Sequence, residues 1–216
     1  MKKTITDGYV EYSYQSAAAP HTNEYLWKTV AEVLPAPPGR LFELGCGNGF
    51  TANLLTLMGY EVTAVDSSKS GIAQGKKAYP ELNLNEGSAY DDLAGKYGQF
   101  PVVLSLEVIE HIYDPRCYAR TFYDLLVPGG LGVISTPYHG YLKNLALAIT
   151  GKLDSHFTVL GDGGHIKFFS AATLTQLLLE TGFERPEIYR AGRIPPLAKS
   201  MIAVFKRPLA MKAERA

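Results

Sequence analysis

Apolar residues fall along this chain in short runs that alternate with stretches of helical spacing, the pattern of a parallel sheet covered by helices. Leu41–Leu44, Glu61–Val65, Leu82–Glu86, Val102–Leu106 and Gly132–Ser135 read as five strands. Between them, Thr51–Met58, Ser70–Tyr79 and Asp114–Leu126 read as helices, the last with an Asp-Pro start. His21–Leu34 has helical spacing and runs out into a proline-rich loop at 35–39. Ala171–Thr181 reads as a helix ended by Gly182, after which Glu187–Arg190 and Ile202–Phe205 close the sheet as a pair. The pattern predicts one domain: a doubly wound α/β sheet of seven strands with the last antiparallel.

The predicted organisation is an N-terminal lid with the first helix at 1–35, a main domain at 36–206 and a flexible tail at 207–216. A long insert, 137–169, interrupts the main domain, and inserts of that length in compact domains are usually functional or disordered. Tyr9, Tyr12 and Tyr14 cluster where a lid would lie. The tail carries Lys206, Arg207, Lys212 and Arg215 and reads as a solvated end.

Composition narrows the function. With 216 residues, 21 Lys and Arg against 21 Asp and Glu, the net charge is zero, which disfavours a dedicated nucleic-acid binder. Hydrophobic residues at 46% and charged residues at 19% describe a folded chain. Cys46 and Cys117 are too few for a disulfide framework and lack metal-binding spacing, so a cytoplasmic location is expected. The basic N-terminus leads into no apolar run, and no stretch reads as membrane-spanning.

The strongest motif is Leu41-Phe-Glu-Leu-Gly-Cys-Gly-Asn-Gly-Phe50: a strand, three glycines at alternate positions, then a helix. Glycines allow a sharp turn and close approach of a ligand, and the following helix N-terminus offers amides. The spacing of Gly45, Gly47 and Gly49 is not that of the dinucleotide fingerprint. The acid Glu43 precedes the loop, and the second strand ends in Asp66, placed to accept hydrogen bonds from ribose hydroxyls.

Together, Glu43 through Gly49 and Val65-Asp66 resemble the S-adenosylmethionine-dependent methyltransferases of the Rossmann-like class, a resemblance covering nearly the whole chain. It implies that Gly45 and Gly47, with Cys46, Asn48 and Gly49, cradle the methionine moiety and that Asp66, beside Ser67, holds the ribose. Ser88 and Ala89 stand where the family contacts adenine, although Ser88 replaces the usual aspartate, and Leu106 completes the cofactor set with Glu43.

A second cluster, Ser105-Leu-Glu-Val-Ile-Glu-His-Ile-Tyr-Asp-Pro115, follows the fourth strand. If its turn is helical, Glu107, Glu110 and His111 share a face, and with His165 from the insert they suit a divalent cation. This run, with Leu126-Val-Pro-Gly-Gly130 and Gly164-His-Ile-Lys-Phe168, is similar to the ubiquinone-biosynthesis O-methyltransferases. That likeness implies methylation of a catechol-type hydroxyl and a metal, Mg²⁺ or Mn²⁺, at Glu107, Glu110 and His111, with His165 the fourth candidate ligand. Small-RNA 2′-O-methyltransferases share the same E-x-x-E-H run. A metal-free alternative stays open, in which a histidine acts as base: His111 first, then His165, then His139 after the fifth strand. The expected partner is a small-molecule acceptor, with no nucleic acid. The apolar stretch Leu145–Ile149 in the insert reads as a pocket lid in preference to a peripheral membrane contact. A non-catalytic cofactor-binding module is the third reading.

Overall fold

The computed structural model describes residues 13–157, 160 and 164–209, with the backbone of 5–6 and 9–10. The seven sheet strands are β1 (Gly39–Leu44), β2 (Tyr60–Asp66), β3 (Asn83–Glu86), β4 (Phe100–Leu106), β5 (Leu126–Pro137), β6 (Glu187–Ala191) and β7 (Ser200–Lys206). Their order across the sheet is β3-β2-β1-β4-β5-β7-β6. The first five pair in parallel, and β7 runs antiparallel to both its neighbours, as the sequence pattern predicts. Strand order reverses between β1 and β4, the place where doubly wound sheets open a crevice at their carboxyl ends.

Both faces of the sheet are covered, so β1 is buried along its whole second half, Leu41 to Leu44. Leu41 faces a core shared with α1 (Asn23–Val33), α2 (Phe50–Leu57) and α3 (Lys69–Ala78). Phe42 and Leu44 face the other core, against α4 (Leu93–Tyr97), α5 (Pro115–Leu125) and α8 (Ala171–Thr181). Helix α1 buries Leu26 and Val30, four residues apart, Leu34 just beyond its end joins them, and Trp27 packs beside them. Local chemistry sets the helix ends. Asp114 accepts hydrogen bonds from Arg116 N and Cys117 N and Pro115 opens α5, while Ser170 and Thr173 form a capping box on α8, which ends at the left-handed Gly182.

Three differences from the sequence reading have plain causes. Helix α4 is only five residues long, too short to show a period, and is held by Asp92, whose side chain accepts from Gly95 N at 2.8 Å. Strand β5 starts at Leu126 because Pro128-Gly129-Gly130, which reads as a break, is paired by Arg207: Gly129 N donates to Arg207 O and Arg207 N to Gly130 O. Arg207 therefore does not begin a solvated tail. Its guanidinium donates to Tyr123 O (3.1 Å) and Leu126 O (2.7 Å), satisfying carbonyls at the end of α5, and lies 4.4 Å over the Tyr123 ring. The rest of the tail reading, 210–216, lies outside the described residues.

The insert carries α6 (Tyr141–Ile149) and α7 (Leu153–Phe157), neither of which buries a single residue. Residues 158–159 and 161–163 lie outside the described residues. Among the described residues no helix is long and apolar enough to cross a membrane.

The glycine loop that leaves β1 lies directly on the backbone of α3. A Cβ at Gly71 would stand 2.6 Å from Gly47 O, and one at Gly75 would stand 2.8 Å from Asn48 O. Neither neighbour is a flexible side-chain end that could step aside. Gly75→Ala is expected to cost about 1–3 kcal/mol of stability, whereas Gly39→Ala, where an added Cβ meets nothing within 4 Å, stays near neutral. Urea unfolding of both variants checks this.

Candidate active site

Gly45, Gly47 and Gly49 take φ values of 83°, 55° and 76°, the left-handed region that favours glycine. The loop is tied to β2 through its amides. Gly45 N and Cys46 N both donate to Val65 O, and Gly47 N donates to Asp66 Oδ2 at 2.7 Å. The other oxygen, Asp66 Oδ1, accepts from Ser68 N at 2.7 Å. The loop and the turn after β2 thus fix the Asp66 carboxylate at the carboxyl end of the sheet. Cys46 contributes its amide, while burial pushes its thiol well up and away from reactivity.

Asn48 does something the sequence did not show. Its Nδ2 donates to Ser16 O (2.9 Å) and Ala18 O (2.8 Å), fastening the N-terminal segment onto the loop. Tyr79 Oη donates to Ala17 O and Tyr14 N to Ser70 Oγ, so residues 14–18 form a strap. The Tyr14 ring lies against Gly47 and Gly71. The side chains of Tyr9 and Tyr12 lie outside the described residues.

The remaining cofactor candidates line the same sheet end. Ser67 is exposed after β2, Ser88 N donates to Asp91 Oδ2 at 2.7 Å, buried Ala89 accepts from Thr121 Oγ1 through its carbonyl, and Leu106 ends β4. Beneath the loop, Glu43 is buried with Oε2 lacking any partner. Burial, and then the charge of Asp66, push its carboxyl up to about 8.

Across the crevice, the turn after β4 is a 3₁₀ turn at Ile109–His111, and Glu107 lies before it at φ 55°, the one described non-glycine residue in the left-handed region. Glu107, Glu110 and His111 therefore do not share an α-helical face. Glu107 is turned to the sheet, where its oxygens accept from Ser135 Oγ (2.8 Å) and Ser200 Oγ (3.1 Å) on the paired strands β5 and β7. The residues that converge are Glu110, His111 and His165, whose ligand atoms all lie within 4.8 Å of one another. Glu110 is fully buried; Thr136 Oγ1 donates to its Oε2, and its Oε1, 4.0 Å from His165 Nε2, has no hydrogen-bond partner.

The backbone brings His165 here. Ile166 N and Lys167 N both donate to Glu110 O, and His111 Nδ1 lies 3.1 Å from Gly164 O. A carbonyl only accepts, so Nδ1 carries a proton toward Gly164 O. Burial pushes Glu107 up to about 7 and raises Glu110 well above the carboxylate range, with the charge of Glu107 adding to the second. His165 is pushed down to about 4 by burial, with the nearby His111 adding to it.

His139 stands apart from this group. It is buried where β5 ends, among the rings of His156, Phe157 and Phe168. His156, Phe157 and Phe168 were not singled out from sequence, since a lone aromatic in an insert carries no signal until the insert folds back.

Glu43 generates a pH test. Its carboxyl rises from 4.5 in the unfolded chain to about 8 in the fold, so its contribution to stability is full below about 4.5 and is lost as pH climbs to about 8. Glu43→Gln removes that loss. The stability of the variant relative to the parent is expected to grow between pH 5 and about 8 and then level off, as measured by urea melts at several pH values.

Comparison with known proteins agrees with this geometry. The chain is 40% identical over 116 residues to the ubiquinone biosynthesis O-methyltransferase of Caulobacter sp. (strain K31), covering 52% of this chain and 46% of that one. It is 33% identical over 150 residues to the enzyme of the same name from Ruegeria pomeroyi, covering 67% of this chain and 60% of that one. The chain thus spans about half to three-fifths of the length of these curated relatives. An S-adenosylmethionine-dependent methyltransferase from Mesorhizobium loti shares the fold, with a TM-score of 0.64 at 19% identity over 84% of this chain and 97% of that one. A methyltransferase domain model matches residues 9–186, and the chain belongs to that family, in its S-adenosylmethionine-dependent, Rossmann-like class.

Proposed function

We propose that this chain transfers a methyl group from S-adenosylmethionine to a hydroxyl on an aromatic small molecule of the catechol, phenol or quinone-precursor kind. The observation that carries the reading is the placement of the Glu110–His111–His165 cluster across the crevice from the glycine loop and Asp66. The names of the Caulobacter and Ruegeria relatives support an oxygen acceptor. The bound cofactor supplies an activated methyl on a sulfonium, so the chain's task is alignment, at about 3–3.5 Å, and removal of one proton.

His111 suits that task. Its Nδ1 is held by Gly164 O, which orients the ring, and Nε2 serves as the base. The same residues fit a divalent cation. Glu110 Oε1 is buried without a partner, His165 is held neutral, and a cation there would lower the pKa of a hydroxyl while Glu110, His111 and His165 hold it. Glu107, gripped by two serines, orients the sheet side of the site and is not part of that ligand set. The strap at 14–18 serves as the lid over the cofactor, and the insert covers the acceptor.

Methyl transfer from labelled S-adenosylmethionine to catechol tests the reaction. His111→Ala is expected to lower the rate by about 10²–10⁴-fold with S-adenosylhomocysteine affinity kept. Mn²⁺ titrated into product-saturated protein is expected to bind saturably and to release protons, because Glu110 must ionise, and to lose that binding in Glu110→Ala. Absence of binding heat assigns the proton to His111 alone. Asn48→Ala frees the strap and is expected to weaken S-adenosylhomocysteine binding about 3–30-fold, the worth of one or two hydrogen bonds, by calorimetry.

A further inference from the structure

His139 is the imidazole of the mouth that the reaction above leaves unused. It is 7% exposed, and neither Nδ1 nor Nε2 meets hydrogen-bond geometry with any group. Leaving a buried polar group unpaired costs about 1–3 kcal/mol, and with Asn144 facing one ring nitrogen, the other asks for a partner that arrives from outside. A third such atom lies beside them: Asn144 Oδ1 on α6 also lacks a partner, and Asn144 is the side chain whose amide faces the imidazole.

Three separate segments build the surroundings. Phe157 from α7 stacks on the imidazole at 5.7 Å and 19°, Phe168 from the segment after the insert meets it edge-on at 5.1 Å, and Phe157 and Phe168 touch each other at 4.8 Å. The imidazole itself is fixed by the backbone, since His139 N donates to Phe169 O and Tyr138 N to Lys199 O. The walls are held differently. Helices α6 and α7, which carry Asn144, His156 and Phe157, bury nothing, and lightly buried elements open at low cost. A rigid polar ring thus sits behind Phe157, a wall that can move away from the pinned Phe168.

The chemistry of the occupant follows. Burial keeps His139 uncharged, down to about 4, so it offers one N–H donor and one lone pair. A hydroxyl, which both donates and accepts, or a hydroxyl beside a carbonyl, matches that pair. Two phenyl rings match a flat aromatic body.

We propose that His139, assisted by Asn144, recognises a second oxygen substituent on the aromatic acceptor, whose ring packs against Phe168 as Phe157 is drawn aside. His139 is then a specificity-determining residue that touches substrate away from the reacting oxygen. The proposal rests on the methyltransferase reading with an aromatic acceptor.

Catechol and toluene, titrated into protein saturated with S-adenosylhomocysteine, test it by calorimetry and by NMR of ¹⁵N-labelled histidine. Catechol is expected to bind and to shift the His139 ring nitrogens, and toluene to leave them in place. His139→Phe keeps the aromatic wall and removes both polar atoms; it is expected to weaken catechol by about tenfold, the worth of one hydrogen bond, with S-adenosylhomocysteine affinity within about twofold. His139→Gln restores a donor and an acceptor and recovers part of the loss. Equal catechol affinity in His139→Phe overturns the proposal. So does native protein that binds S-adenosylhomocysteine but no catechol, or that binds catechol with no shift at His139. The NMR arm needs no variant and stands even if His139→Phe fails to fold. Native protein that binds no S-adenosylhomocysteine sinks the methyltransferase reading itself, a result distinct from each of these.

Discussion

The glycine loop can exist only because α3 lets it lie backbone to backbone. Gly71 and Gly75, one helical turn apart, remove the two side chains that would hold the helix off Gly47 and Asn48. That contact sets the distance between the loop and the end of β2, which is what allows Gly47 N to reach Asp66. It also sets Asn48 at the height where its amide grips residues 16 and 18. Loop, acid and strap are one rigid assembly, and two missing methyl groups hold it together.

Buried carboxyls underlie both sides of the site, Glu43 beneath the loop and Glu107 and Glu110 after β4. Glu43, Glu107 and Glu110 are all pushed upward by burial, and none has a lysine or arginine in salt-bridge range among the described residues. Burying such groups costs stability, and the chain meets that cost unevenly. Glu107 is answered by two serines; Glu43 and Glu110 each keep one oxygen with no partner. Strain is placed the same way, with Glu107 in the left-handed region between strand and turn. Unanswered polarity and backbone strain gather at the carboxyl ends of the parallel strands, where a ligand can answer them.

Much of this was legible in the sequence. Strand β1 and the glycine loop were readable because buried parallel strands are continuously apolar and because alternate glycines have few other uses. Gly45, Gly47 and Asp66 stand where spacing put them. The E-x-x-E-H run was readable as chemistry but not as geometry, since a single positive φ at Glu107 swings one carboxylate to the sheet and leaves Glu110, His111 and His165 as the group. Asn48 looked like a cofactor contact because its second role depends on a segment thirty-odd residues away in sequence, at 16–18. Arg207 looked solvated because capping carbonyls carry no sequence signature. The aromatic surroundings of His139 were invisible for a related reason: they meet only when two lightly buried helices and the chain after them fold back over β5.

Strand β7 follows the other described strands in sequence yet lies between two of them, and it supplies Ser200, which holds Glu107. During synthesis, chains fold from the amino end as they emerge. The cradle, made from β1, β2 and α3, can assemble while much of the chain is still being translated. The Glu107 side cannot, since the second of its two serine clamps arrives only when β7 slides in against β5 and pairs on its far side with β6. The glycine-loop side of the sheet can therefore be made before the Glu107 side, and the two come together as one sheet end only after β7 has been threaded between β5 and β6.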